Sequence, residues 1–144
     1  MTTPDRRAQS TPLAEAPNYS EQAEKLLQQR HDLAAVVFLS TDGLIAGAGG
    51  EVDREQAETT AASASGLYSL GRESLAVVAG GGARARSVTI EGEDGRFLLI
   101  VAAGDNLRIA AFTQPDPDLG GVMYELAKLA DTFALHISSR GDGR

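Results

Sequence analysis

The side chains with the widest chemical range here are two histidines, four arginines and a run of carboxylates. These are His31 and His136, Arg54, Arg72, Arg84 and Arg86, and Glu51, Asp53, Glu55 and Glu58. A histidine acting as general base needs a nucleophile and an orienting acid, and a metal centre needs further ligands at helical or strand spacing. Neither histidine has such partners. Each stands near the expected end of a helix, where an imidazole meets the last carbonyls and the negative end of the dipole. The chain has no cysteine, which removes thiolate nucleophiles, disulfides and thiolate metal sites. The glycine-rich stretches Gly47-Ala-Gly-Gly50 and Gly80-Gly-Gly82 lack the spacing and the lysine of a phosphate-binding loop, so they are turns and helix ends. No catalytic, cofactor-binding or metal-binding residue is expected, and no cofactor.

The carboxylates admit two readings. Gathered where a long helix should start, they complement its positive end; the same acidic end, with Glu55 and Glu58, also suits a partner surface. The arginines are solvated surface charge or contacts to a partner.

The elements that position these residues come from composition and pattern. The chain has 144 residues, 42% of them hydrophobic but only 5% aromatic, so one domain with a core of Ala, Val, Leu and Ile is expected. Such a small-volume core favours burial against a second copy. The formal net charge of -7 argues against a nucleic-acid or anionic-membrane surface. No apolar run approaches the ~20 residues of a membrane helix, and no secretion signal is apparent. A cysteine-free chain of this kind fits the cytoplasm.

Residues 1–17 hold Pro4, Pro12 and Pro17 among small polar residues and form a mobile leader; 18–137 form the folded domain, and 138–144 a flexible tail. The first helix should start at Asn18, with Glu21 three residues on, and end near His31 or Asp32. Ala34 to Ser40 is a buried strand, Thr41-Asp42-Gly43 a tight turn and Leu44 to Gly49 the returning strand. The glycines of that second strand imply close approach of another segment. Strands Arg86–Glu91, Arg96–Ala103 and Leu107–Thr113 follow, and a last helix should open at Asp116–Pro117 with Leu119, Val122, Leu126, Leu129, Phe133 and His136 along one face.

Between the two groups of strands, Asp53 should cap a helix from Arg54 to about Val78 with two apolar or small faces. Ala57, Ala61, Ala64 and Tyr68 make a small-residue stripe; Leu67, Leu70, Ser74 and Val78 make a bulkier one. The bulkier stripe is expected to cover the sheet. The small stripe is then left for a second copy, with Tyr68 either a core residue or, preferably, an interface anchor. The order α-β-β-α-β-β-β-α implies an α/β (α+β), three-layer sandwich. Its five-stranded antiparallel sheet has the long helix on one face and the terminal helices on the other.

With Val36-Val-Phe-Leu-Ser-Thr-Asp-Gly-Leu44, Asp53-Arg-Glu-Gln-Ala-Glu58, Ala61-Ala-Ser-Ala-Ser-Gly-Leu-Tyr-Ser-Leu70 and Gly80-Gly-Gly82 in this order, the chain resembles the roadblock/dynein light chain family. It is most similar to actinobacterial members encoded beside small GTPases in conservon operons, over roughly residues 24–137. The resemblance implies a roadblock/profilin-like fold. It also implies a homodimer joined by antiparallel long helices and by edge-to-edge third strands, placing Ala57, Ala61, Ala64, Tyr68, Ser87 and Thr89 at the interface.

It further implies a small Ras-like GTPase as partner, whose GTP hydrolysis some members accelerate, and places a kinase-like sensor among the candidate partners. Arg54, Glu55, Glu58 and Arg72 are the expected contact surface. An arginine finger is one route to such acceleration; in gliding-motility relatives the effect is ascribed to reshaping the GTPase. The rivals are a scaffold without effect on GTP turnover and a small-ligand sensor using space beside the glycine-rich second strand.

Overall fold

The computed structural model describes the backbone of residues 18–142, so the leader 1–17 and residues 143–144 lie outside the described residues. The elements are α1 (Tyr19–Gln29), β1 (Leu33–Ser40), β2 (Ile45–Gly50), α2 (Arg54–Ala79), β3 (Ser87–Glu91), β4 (Phe97–Ala103), β5 (Leu107–Thr113) and α3 (Leu119–Asp142). The expected element order stands, and the five strands form one antiparallel sheet in the order β2-β1-β5-β4-β3. The backbone of α3 runs on through 138–142, a stretch expected to be a tail.

Period-two alternation sorts the strand side chains into two layers. From β1, Val36 and Phe38 join Leu99, Val101, Ile109 and Ala111 beneath α1 and α3. Val37 and Leu39 join Ile100 and Ala110 beneath α2. β1 is therefore buried on both faces, which explains its continuous apolar run. The rings of Tyr19, Phe38 and Phe133 lie 5.0, 5.1 and 5.5 Å apart and tie α1, β1 and α3 together. With Phe97 packed against the same cluster, four of the chain's seven aromatics contribute to this side of the sheet.

The glycines of β2 serve α1. A Cβ on Gly47 would lie 2.6 Å from the Ser20 nitrogen and from the Tyr19 Cβ, and one on Gly49 would lie 2.7 Å from a Glu24 carboxylate oxygen. The close approach expected from sequence is therefore made by the chain's own first helix.

Local signals hold in most places. Asn18 caps α1 by accepting from the Glu21 N–H, and Gly43 takes a positive φ of 82° in the β1–β2 turn. The start of the last helix needs correction. Asp116 has φ 55° and lies before the helix; Asp118 is the capping side chain, accepting from the Gly121 N–H. Asp32 and Arg30 hold this junction. The Asp118 N–H donates to Asp32, and Arg30 donates to Asp32 at 2.7 Å and contacts Asp118 at 3.5 Å.

Candidate functional site

The long helix α2 opens on a reciprocal capping box: the Asp53 carboxylate accepts from the Gln56 N–H, and the Gln56 side chain accepts from the Asp53 N–H. Most of the acidic cluster has a partner within the chain. Glu58 pairs with Arg54 at 2.9 Å, and Glu51 accepts from the Gln114 side chain. Glu55 is exposed and has no ion pair among the described residues.

The face of α2 turned to the sheet is the small one. Ala57, Ala61, Ala64 and Tyr68 are 1, 0, 0 and 6% exposed within the single chain, packed with Val37, Leu39, Ile100 and Ala110. The expectation that these four meet a second copy is therefore corrected: they are core. Leu70 and Val78, expected under the helix, are 60% and 91% exposed. The physical reason lies in the opposing surface. Small side chains let the helix backbone settle close to the sheet, and one large residue, Tyr68, fills the remaining depth. Its hydroxyl donates to the Ala85 carbonyl, and the Arg108 guanidinium lies over its ring, 4.2 Å from the centroid.

The outward face carries Glu55, Thr59, Ala62, Gly66, Ser69, Leu70, Glu73 and Val77, all at least part exposed. It is small in its first half and apolar toward its end, where Leu75 is also part exposed. Gly66 has nothing within 4 Å of a would-be Cβ. Beside α2 runs β3, an edge strand paired only to β4. Ser87 is half-buried, Thr89 and Ile90 are exposed, and Gly71 of the helix sits against Val88. The outward stripe is open to close approach at Gly66, and the outer edge of β3 has no strand partner among the described residues.

Among the arginines, Arg54 pairs with Glu58 and Arg84 with Asp105, while Arg72 and Arg86 are exposed. A groove of about 680 Å³ lies beside the first turns of α2, lined by Glu55, Gln56, Thr59, Ile90, Leu98 and Phe112 among others. His31 is exposed; the His136 side chain lies outside the described ones. Among the described residues no group of three or more His, Cys, Asp or Glu is placed to hold a metal ion. No helix among them is long and apolar enough to cross a membrane.

Sequence reasoning missed Leu70, Val77, Val78 and Ile90 as exposed apolar side chains, and missed Arg108 altogether. The signal for Arg108 was present: a lone charge inside the apolar run Leu107–Phe112. For the helix faces the contrast between a small and a bulkier stripe was visible, but which one turns inward depends on the sheet surface beneath it.

The Roadblock/LC7 domain model matches residues 19–112. A solved Roadblock/LC7 domain from Streptomyces avermitilis is 31% identical, with TM-score 0.74, covering 83% of this chain and 97% of that one. Myxococcus xanthus MglB, at 17% identity and TM-score 0.67, covers 78% and 83%. The gliding protein MglB from Thermus thermophilus, at 18% identity and TM-score 0.67, covers 79% and 84%. No curated protein matches the chain.

Proposed function

This chain belongs to the Roadblock/LC7 domain family, and from that premise we propose that it is a non-enzymatic homodimer that binds a small Ras-like GTPase. It would then set the partner's GTP hydrolysis or its place in a signalling complex, such as one with a kinase-like sensor, in the cytoplasm. The observation that carries the reading is the outward stripe of α2 beside the open edge of β3. An exposed helix with Ala62, Gly66 and Ser69 at its middle and Leu70 and Val77 beyond has apolar surface to bury and no bulk to prevent close approach. The edge of β3, with Ser87 and Thr89, offers unpaired backbone groups to a second strand.

Antiparallel pairing centred on Gly66 lays Leu70 of one helix along Ala62 of the other, and Glu73 along Thr59. The outward stripe thus replaces Ala57, Ala61, Ala64 and Tyr68 as the helical half of the interface, while Ser87 and Thr89 keep their place in the strand half. Arg54, Glu55, Glu58 and Arg72 lie exposed toward the two ends of the helix, where a twofold dimer presents them to a partner.

The test uses small Ras-like GTPases from the same genome, starting with any encoded beside this chain. Co-elution of the GTP-loaded GTPase with two copies of this chain, together with altered single-turnover GTP hydrolysis, is the expected result. Co-elution without altered hydrolysis leaves the scaffold reading; absence of a complex in either nucleotide state overturns the proposal. A second reading, a small-ligand sensor, draws on the groove at Ile90, Leu98 and Phe112. Its size lies within the usual range for small-ligand pockets, and a saturable rise in Tm with a metabolite would favour it.

A further inference from the structure

At the other end of α2 a second cleft, of about 570 Å³, lies between the helix, the α2–β3 loop and the β4–β5 turn. Its floor is unusual. Arg108 is the one charged side chain in the buried set among the described residues, 8% exposed, in a chain whose formal net charge is -7. Its Nη1 donates to the Leu107 carbonyl at 3.0 Å and to that of Gly104 at 3.4 Å. Its Nε and Nη2 have no protein acceptor, and no carboxylate lies within ion-pair distance, among the described residues.

An arginine does not shed its proton to escape burial. Burial disfavours the charged form of Arg108 first of all; the nearby Arg72 and Arg84 act in the same direction, while Tyr68 and Asp105 oppose them. Both other arginines line the cleft with Arg108. Asp105 is committed to Arg84 at 3.0 Å, and Glu73 is the other carboxylate at the rim. Among the described residues, two of the three guanidiniums, those of Arg72 and Arg108, are thus left without an ion-pair partner around one solvent-connected space.

We propose that this cleft binds a small oxyanion, a phosphate or carboxylate group, with the free edge of the Arg108 guanidinium at its floor and Arg72 and Arg84 at its mouth. The stacking of Arg108 on Tyr68 holds the fork in place, and a pre-oriented guanidinium suits paired oxygens. The cleft shares Arg72 with the proposed GTPase-contact surface and Glu73 with the outward stripe of the helix, but anion binding is read on this chain alone, so its test does not depend on the GTPase reading.

The experiment titrates the full chain with sodium phosphate and with sodium malonate against sodium chloride at matched ionic strength. It follows Tm and the backbone amide resonances of Gly82, Ala83, Gly104 and Asp105. A saturable rise in Tm with either oxyanion, and shifts centred on those amides, are expected; the anion that saturates at lower concentration identifies the group. The double variant Arg72→Ala/Arg84→Ala changes two exposed side chains, so its Tm without anion should stay close to that of the parent while its affinity falls at least tenfold. Arg108→Lys keeps the charge but loses the fork, and should weaken binding as well. A response indistinguishable from chloride, shifts mapping elsewhere, or unchanged affinity in the double variant would overturn the proposal.

Discussion

Gly66→Ala separates the fold of one chain from the pairing of two. Gly66 lies in the interior of α2 on its outward face, and an added Cβ meets nothing within 4 Å. In the isolated chain alanine therefore stabilises, since a glycine inside a helix costs roughly 0.5–1 kcal/mol relative to alanine. For a domain of this size that raises Tm by roughly 2–5 °C. If two α2 helices cross at Gly66, symmetry places both new methyl groups in the contact. Overpacking of a close contact costs about 1–3 kcal/mol, which weakens the dimer roughly 5- to 150-fold. Thermal unfolding well below the dimer dissociation constant reads the first effect, and sedimentation over a dilution series reads the second. A more stable monomer with weakened association is expected. Unchanged association would refute the α2 stripe as the contact, and a destabilised monomer would refute the open surroundings of Gly66.

Three further outcomes follow from the packing, and a fourth from charge. Ala61→Glu places a charge at a fully buried position among Val37, Leu39, Ile100 and Ala110, and should abolish cooperative unfolding through a loss above about 4 kcal/mol. Ala62→Glu, one residue on and exposed, should leave monomer stability within about 0.5 kcal/mol while dissociating the dimer. Gly47→Ala drives a methyl into the Tyr19–Ser20 backbone and should cost about 1–3 kcal/mol by denaturant titration, without altering any partner contact. The Arg30 guanidinium holds the Asp32 carboxyl below the usual carboxylate range, with the Asp118 N–H assisting against the opposing effect of burial. That stabilisation is complete above the unfolded value near pH 4 and fades as the pH falls through the lowered folded value. Asp32→Asn should therefore lower Tm at pH 7, and its gap from the parent should close on acidification below about pH 4.

What was legible in the sequence was local. Asn18 and Asp53 read as caps because each side chain acts on a backbone N–H three residues away, and Gly43 read as a turn because its conformation is a property of the residue itself. Strand and helix periodicities, taken in order, implied the three-layer sheet. The start of α3 was placed too early because Asp116 and Asp118 both look like caps, and the choice depends on where Asp32 and Arg30, over 80 residues away, hold the chain.

The sequence by itself determined that α2 has two usable faces, one of them rich in Ala, Ser and Gly. It could not say which of them turns inward. A helix buries the side that best fits the surface beneath it, and that surface is assembled from β1, β4 and β5, distant in the chain. Because Val37, Leu39, Ile100 and Ala110 leave room for a close-lying backbone and one tyrosine, Ala57, Ala61, Ala64 and Tyr68 went inside. Leu70, Val77 and Val78 were left outside. Tertiary packing, rather than the pattern along the helix, decided which residues are available to a second chain.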